Sequence, residues 1–135
     1  MNLVDIVFLG WYHICDKTIY ANVADTEGIG PKEHSFFITF LIHGINLSSL
    51  ESYLAAKYLS INGPLYVKLT MAAAVFVIGY VWFFRKRANE VLARNIKNGM
   101  LILYVVIALA YVVISVFLMF KVGNYVREIV LSGKV

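Results

Sequence analysis

The sequence predicts an all-α, polytopic helical membrane protein with three transmembrane helices and an N-terminal amphipathic helix at the membrane interface. Composition is the first observation behind this prediction. Of the 135 residues, 61% are hydrophobic and 15% are charged, and the mean hydropathy is +0.76. A soluble domain is closer to half apolar and a quarter charged. Because small domains bury a low fraction of their surface, we expect a single membrane domain over 1–135, with the lipid bilayer as its solvent.

Two long apolar runs are the second observation, and they predict transmembrane helices at 65–84 and 100–120. The first run carries one charged residue, near its start, and the second carries none. Twenty residues of α-helix rise about 30 Å, which is the thickness of the hydrocarbon core of a bilayer. Each run is therefore long enough to cross a membrane once.

A basic cluster between these runs is the third observation. Five of the twelve basic residues lie in the connection 85–98, which can stay helical until Asn98-Gly99 interrupts it. Basic loops favour the cytoplasmic side, so the N-terminus and this connection are predicted to be cytoplasmic and the C-terminus to lie on the far side. A nucleic-acid partner is not expected, because the basic residues are not spread over a surface. The predicted interface anchors are Trp11, Tyr12, Trp82, Arg85, Lys86, Arg87 and Lys121.

The first transmembrane segment, 34–56, is the least apolar of the three because a polar stripe runs along it. The spacing of three and four residues places the stripe within an arc of roughly 120°. One face of this segment is therefore not meant for lipid, and a re-entrant segment is the alternative to a span. The stripe consists of Ser35, Thr39, His43, Asn46, Ser49 and Tyr53. The third segment offers a matching face with Tyr104, Tyr111 and Ser115.

The polar stripe supports two hypotheses. Intramembrane Ser, Thr, Asn and His often hydrogen-bond between helices, which predicts a packing seam in a subunit or scaffold of a larger membrane complex. Alternatively, the stripe lines water in a homo-oligomeric pore, with His43 handling protons because imidazole titrates near neutral pH. The expected partners are other membrane subunits or copies of this chain. Nucleotide-binding loops, HExxH, GxSxG and paired cysteines are all missing from the sequence, so no enzyme, cofactor or metal site is predicted.

Residues 2–20 predict an amphipathic helix. Apolar residues recur there at spacings of three and four, while Asp5 and Asp16 fall on the other side. Charged residues interrupt the apolar run, and the uninterrupted part is too short to span a bilayer. A position along the membrane surface is therefore predicted, with Trp11 and Tyr12 at headgroup depth. Packing of this helix on the chain's own bundle is the alternative.

Two short stretches carry a resemblance to other proteins. The run YVWFFRKRANE at 80–90 follows an apolar span, and LVDIVF stands at 3–8. Together they resemble small uncharacterised three-span inner-membrane proteins of Bacteroidota-type bacteria. The likeness lies in the layout of most of the chain. It implies no activity, and it points to a bacterial cytoplasmic membrane.

Overall fold

The computed structural model describes residues 1–19 and 29–132, and every regular element within these ranges is a helix. Tyr20, the last residue of the predicted N-terminal helix, and residues 133–135 of the predicted domain lie outside these ranges. The helices are α1 (Leu3–Thr18), α2 (Pro31–Leu59), α3 (Leu65–Ile78), a π-helical segment (Gly79–Arg87), α4 (Ala88–Leu92) and α5 (Asn98–Ser132).

Two of these helices are long and apolar enough to cross a membrane. One is the continuous helix Leu65–Leu92, formed by α3, the π-helical segment and α4, and the other is α5. They cover the predicted spans at 65–84 and 100–120. The helix α2 covers the remaining predicted span, 34–56. Its polar side chains lower its hydropathy, so it is not one of the two helices apolar enough to count as candidate spans. Length and composition therefore establish two candidate spans.

Several helix boundaries differ from the sequence prediction. The break after the basic cluster falls at 93–97, and Asn98-Gly99 begins α5 instead of interrupting a helix. The carbonyl of Lys97 accepts hydrogen bonds from the N–H groups of Met100 and Leu101, which starts the new helix at that point. The helix α5 continues unbroken past Lys121, where the predicted apolar run 100–120 ends, to Ser132. An exposed lysine interrupts the apolar run without interrupting the backbone hydrogen bonds.

The long helices form an up-down-up arrangement with α2 at the centre, because α2 packs against both α3 and α5. Its pairing with the Leu65–Leu92 helix is antiparallel, as Lys32 near the start of α2 donates a 2.7 Å hydrogen bond to Asn89. Further along, Gly44 lies opposite Ala72. Its pairing with α5 is parallel, since contacts begin at His43 and Tyr111 and continue to the ring pair of Tyr53 and Tyr125, 5.3 Å apart.

Helix α1 packs at the end of the bundle that carries the basic connection. Phe8 contacts Phe83 edge to face at 4.9 Å, and both rings are fully buried. The consecutive residues 7–10 are all buried, and four successive residues cover most of the circumference of a helix. Protein therefore surrounds the middle of α1, which favours the predicted alternative in which this helix packs on the chain's own bundle.

The π-helical segment widens the backbone just before the basic cluster. The N–H of Ala88 donates to the carbonyl of Phe83, five residues back. Gly79 opens the segment directly against the ring of Phe40, where an added Cβ would overlap the ring. A wider turn changes the direction of every side chain that follows it. The direction of Arg87 therefore does not follow from the periodicity of α3.

Candidate functional site

The centre of the predicted polar stripe joins α2 to α5. The amide nitrogen of Asn46 donates hydrogen bonds to the hydroxyl of Tyr111 at 2.8 Å and to the hydroxyl of Ser115 at 2.9 Å. Ser115 in turn donates to the carbonyl of Tyr111 within its own helix at 2.7 Å. The structure thus brings together three residues that the sequence placed on two separate polar faces. Both hydrogens of the Asn46 amide are used within the chain.

His43 lies one turn before Asn46, next to this contact. Its Nδ1 atom is 2.8 Å from the carbonyl oxygen of Thr39, and its ring centroid is 5.4 Å from that of Tyr111. Thr39 is completely buried, and its hydroxyl has no hydrogen-bond partner among the described residues. The imidazole is held by its own helix and by an aromatic neighbour. It forms no bond across to an acidic group among the described residues.

The ends of the stripe have different surroundings. Ser35 is fully buried, donates to the carbonyl of Pro31 at 2.6 Å and lies beside Cys15 of α1. Ser49 faces a cleft at the opposite end of the bundle. The ring of Tyr53 lies 5.3 Å from that of Tyr125 of α5 and is tilted by 35° against it. The stripe is therefore covered by α1 at its start and by α5 in its middle, and it opens at its end.

Tyr104, which the sequence placed on the α5 face of the stripe, belongs instead to the contact between α5 and α1. Its hydroxyl lies 3.9 Å from the sulfur of Met1. Its backbone carbonyl packs on Gly10, where an added Cβ would overlap the oxygen and would also lie 2.7 Å from the Cβ of Ala108. Because glycine has no side chain, α1 and α5 approach each other closely at this point.

A buried ion pair is the polar feature that sequence reasoning missed. Arg87 Nε lies 2.7 Å from Asp5 Oδ1, and Arg87 Nη2 lies 2.8 Å from Asp5 Oδ2. The side chain of Asp5 is fully buried, and that of Arg87 is 32% exposed. This two-point geometry is the strongest form of a guanidinium–carboxylate contact. The sequence instead predicts Asp5 on the polar outer side of an interfacial helix and Arg87 among the interface anchors.

The carboxylate of Asp5 also caps α1. Its Oδ2 accepts the N–H of Asn2 at 3.1 Å, and the side-chain oxygen of Asn2 accepts the N–H of Asp5 at 2.9 Å, which forms a capping box. Burial by itself raises the pKa of Asp5, but the hydrogen bonds from Arg87 and from the Asn2 backbone lower it further than burial raises it. The net result is a pKa below the usual value, so the group is charged at neutral pH. The sequence signal was the Asn2-x-x-Asp5 spacing.

The remaining predicted anchors divide into exposed and half-buried groups. Trp82, Arg85, Lys86 and Lys121 are exposed, and the ammonium of Lys121 lies 5.5 Å from the ring centroid of Phe117. Trp11 and Tyr12 are half-buried against the bundle. The indole N–H of Trp11 has no partner among the described residues, and burial raises the pKa of Tyr12 above its usual value.

No recognised site or relative assigns a role to this arrangement. Within residues 1–19 and 29–132, no group of three or more His, Cys, Asp or Glu side chains is placed to hold a metal ion. Comparisons with protein families, curated proteins and solved structures found no match. The function must therefore be argued from the distribution of polar and apolar groups.

Proposed function

We propose that this chain is a three-span integral membrane protein that acts as a non-enzymatic subunit or scaffold of a larger membrane complex. The observation that carries the proposal is the inverted polarity of α2. Between residues 31 and 56 every exposed position is Phe or Leu, while Ser35, Thr39 and Ser52 are buried. The exposed side chains, each between 42% and 53% accessible, are Phe37, Leu41, Leu50 and Leu54. This pattern suits a helix whose surroundings are lipid.

The polar residues of α2 do not prevent it from crossing a bilayer. Polar side chains in a membrane are tolerated when they face the protein interior and have partners there. Asn46 has two partners on α5, and the hydroxyls of Ser35 and Ser52 donate to carbonyls one turn back in α2. The helix therefore presents apolar groups outward and satisfies most of its polar groups inward, which supports a third span at 34–56.

The packing-seam hypothesis has more support than the pore hypothesis. A pore requires the stripe to face water, whereas the Asn46 amide is occupied by α5 and Ser35 and Thr39 are fully buried. Few residues are buried in the most apolar 18-residue stretch of each candidate span: 11% in Leu65–Leu92 and 17% in Asn98–Ser132. The outer faces are thus left for lipid and for other membrane helices, which suits a subunit.

The basic cluster supports an orientation in which the N-terminus and the 85–98 connection are cytoplasmic. Arg85 and Lys86 are exposed at the end of the bundle where α1 packs, and basic residues favour the cytoplasmic side. The resemblance at 3–8 and 80–90 suggests that the membrane is a bacterial cytoplasmic membrane. In this orientation α1 lies at the cytoplasmic end of the bundle.

Extraction and mass determination of the native assembly test the proposal. The tagged full-length chain is first checked for retention in membranes after an alkaline wash, and it is then extracted with its surrounding lipid into polymer-bounded discs. If the chain is a subunit, the extracted particle should be heavier than one chain of 15.2 kDa and should contain other chains in a fixed ratio. The same particle should be recovered when one of those other chains carries the tag. A ring made only of copies of this chain would instead support the pore alternative, and a lone chain would contradict both.

A further inference from the structure

The end of the bundle opposite α1 contains a cleft of about 540 Å³ between α3 and α5. This volume lies within the usual range of small-molecule sites, about 300–1,000 Å³. Its floor is a short row of serines on α2, and its walls come from the start of α3, the turn before it and the last third of α5. The lining residues that matter for recognition are Ser48, Ser49, Lys68, Met119, Val126 and Arg127.

The two ends of the bundle are closed differently. At the basic end α1 packs on α2, α4 and α5 and leaves Phe8, Phe83 and Val91 without exposed surface. At the cleft end no helix of the described residues plays this part, and the α5 side chains along the cleft are largely exposed. The cleft is therefore a gap that the described part of the chain leaves open.

The chemistry of the lining joins positive charge to an apolar wall. Lys68 and Arg127 contribute two cations, and among the described residues no acidic side chain lines the cleft, although the carboxylate of Glu51 accepts a 3.4 Å hydrogen bond from the lining Ser52. The ammonium of Lys68 donates a 2.9 Å hydrogen bond to Asn62 Oδ1, another lining residue, which holds it at the cleft. Met119 and Val126 line the α5 side. A ligand that matches both the cations and the apolar wall has an anionic group attached to a hydrocarbon chain.

The cations also lie at the depth of lipid headgroups if the chain spans a membrane as proposed. Lys68 is close to the start of the candidate span Leu65–Leu92, and the 17 residues from Lys68 to Arg85 rise about 25 Å. That separation approaches the thickness of the hydrocarbon core, about 30 Å. With Arg85 at one interface, Lys68 and Arg127 stand at the other, where lipid phosphates lie.

From the cleft, its charge and its depth we infer that this site binds an anionic phospholipid, with the phosphate at Lys68 and Arg127 and an acyl chain along Met119 and Val126. Basic pockets between transmembrane helices hold anionic headgroups on the cytoplasmic side of membranes, and the same charge attraction acts at the opposite leaflet, which this cleft faces in the proposed orientation. A guanidinium and an ammonium form charge-assisted hydrogen bonds to phosphate oxygens. The hydroxyls of Ser48 and Ser49 on the floor supply additional donors, whereas that of Ser52 already donates to the carbonyl of Ser48. The inference depends on the membrane span proposed above.

Native mass spectrometry of the full chain in detergent micelles tests this site. The probe is dioleoyl phosphatidylglycerol, and the comparison lipids are dioleoyl phosphatidylcholine, which has no net charge, and dioleoylglycerol, which has no phosphate. Saturable binding of one phosphatidylglycerol in preference to both comparison lipids is the expected result. The variant pair Lys68→Gln with Arg127→Gln should weaken this binding roughly tenfold or more, whereas Lys68→Arg should retain it.

A matched control variant removes the same charge elsewhere at this end of the bundle. Lys57 and Lys121 lie over aromatic rings outside the cleft lining, so Lys57→Gln with Lys121→Gln should leave phosphatidylglycerol binding unchanged. An equal loss in both double variants would overturn the inference, because it would indicate general charge attraction. The inference would also be overturned if inorganic phosphate bound the cleft as strongly as phosphatidylglycerol and displaced it. That result would show that no acyl chain is recognised.

Two further outcomes separate this inference from the proposed function. If the chain stays in membranes after an alkaline wash but shows no preference among the lipids, the cleft inference fails and the membrane proposal stands. If the alkaline wash releases the chain, both fail. A dimer whose formation abolishes lipid binding would identify a second copy of the chain as the occupant of the cleft, and would overturn the lipid assignment.

Discussion

Arg87 holds the fully buried carboxylate of Asp5 by two hydrogen bonds of 2.7 Å and 2.8 Å, although the two residues are 82 positions apart in the sequence. The pair joins the first turn of α1 to the end of the Leu65–Leu92 helix. It fixes α1 at the basic end of the bundle, next to the exposed Arg85 and Lys86. The position of α1 therefore depends on this charged contact together with the apolar packing around Phe8.

Asp5→Asn is expected to destabilise the fold by about 2 kcal/mol, since it leaves Arg87 without its anion. This is less than the roughly 3–5 kcal/mol lost when one partner of a fully buried pair is removed, because a third of the Arg87 side chain remains in contact with solvent. The free energy of unfolding in detergent micelles measures the loss. Lys86→Gln, which removes an exposed neighbouring charge, is the matched control and should change stability by less than about 0.5 kcal/mol.

The double variant Asp5→Asn with Arg87→Gln completes the test of this pair. Residues that share a contact show strong coupling, so the double variant should be less destabilised than the sum of the two single variants. Additive losses would contradict a direct interaction between these side chains.

The ion pair also predicts how stability depends on pH. The folded state holds the pKa of Asp5 below its ordinary value of about 3.8, so the contribution of the carboxylate is complete above that value. It is lost as the pH falls through the lower folded-state pKa. Thermal unfolding of the wild-type chain should therefore shift to lower temperature on acidification between about pH 5 and pH 2. The Asp5→Asn variant should lack this part of the shift, and identical profiles for both proteins would contradict the prediction.

Gly10→Ala is expected to separate α1 from α5. The new Cβ would overlap the carbonyl oxygen of Tyr104 and approach the Cβ of Ala108, and overpacking of this kind costs roughly 1–3 kcal/mol. Gly44→Ala is the matched control, because its Cβ would meet Ala72 at an ordinary 3.8 Å and alanine favours a helix. Stability in micelles should fall for the first variant and hold or rise for the second. A neutral Gly10→Ala would show that α1 does not pack closely on α5.

The polar seam predicts different outcomes for two neighbouring residues. Asn46→Leu removes the donor to Tyr111 and Ser115 and should cost about 0.6 kcal/mol, with an upper range near 2. His43→Gln keeps a hydrogen-bonding group and removes the imidazole, so it should leave the fold and the assembly nearly unchanged. Unfolding in micelles and the mass of the extracted particle measure both. If His43→Gln alone abolishes function in cells while the particle still assembles, the stripe is a working proton or ion path.

The sequence predicted the parts of the fold that follow from regular periodicity. The helices at 65–84 and 100–120 follow from the length of their apolar runs, and the polar faces of α2 and α5 follow from spacings of three and four residues. The contact of Asn46 with Tyr111 and Ser115 lies where those two faces meet. Such patterns show which residues share a face, and a short list of faces limits which helices can pair.

The features that the sequence did not predict depend on long-range geometry. The periodicity of 2–20 showed an apolar face but could not distinguish lipid from protein as its neighbour, and Asp5 was therefore assigned to the outside. The partner of Asp5, Arg87, is 82 residues away. The direction of the Arg87 side chain is changed by a π-helical segment that has no simple sequence signature. The cleft near Lys68 and Arg127 likewise lies where three helices separate from one another. The sequence of a single segment does not determine that separation.

The crossing of α2 is the central claim, and labelling of single cysteines from one side of the membrane tests it most directly. In a Cys15→Ala background, cysteines replace Thr18 at the end of α1, Ile61 in the turn after α2 and Asn89 near the basic cluster, three exposed positions. A membrane-impermeant maleimide is added to intact cells and, separately, to inverted vesicles. The expected result is that Thr18→Cys and Asn89→Cys react only in inverted vesicles and Ile61→Cys reacts only in intact cells. Reaction of Thr18→Cys and Ile61→Cys from the same side would show that α2 does not cross, and would contradict the three-span protein proposed here.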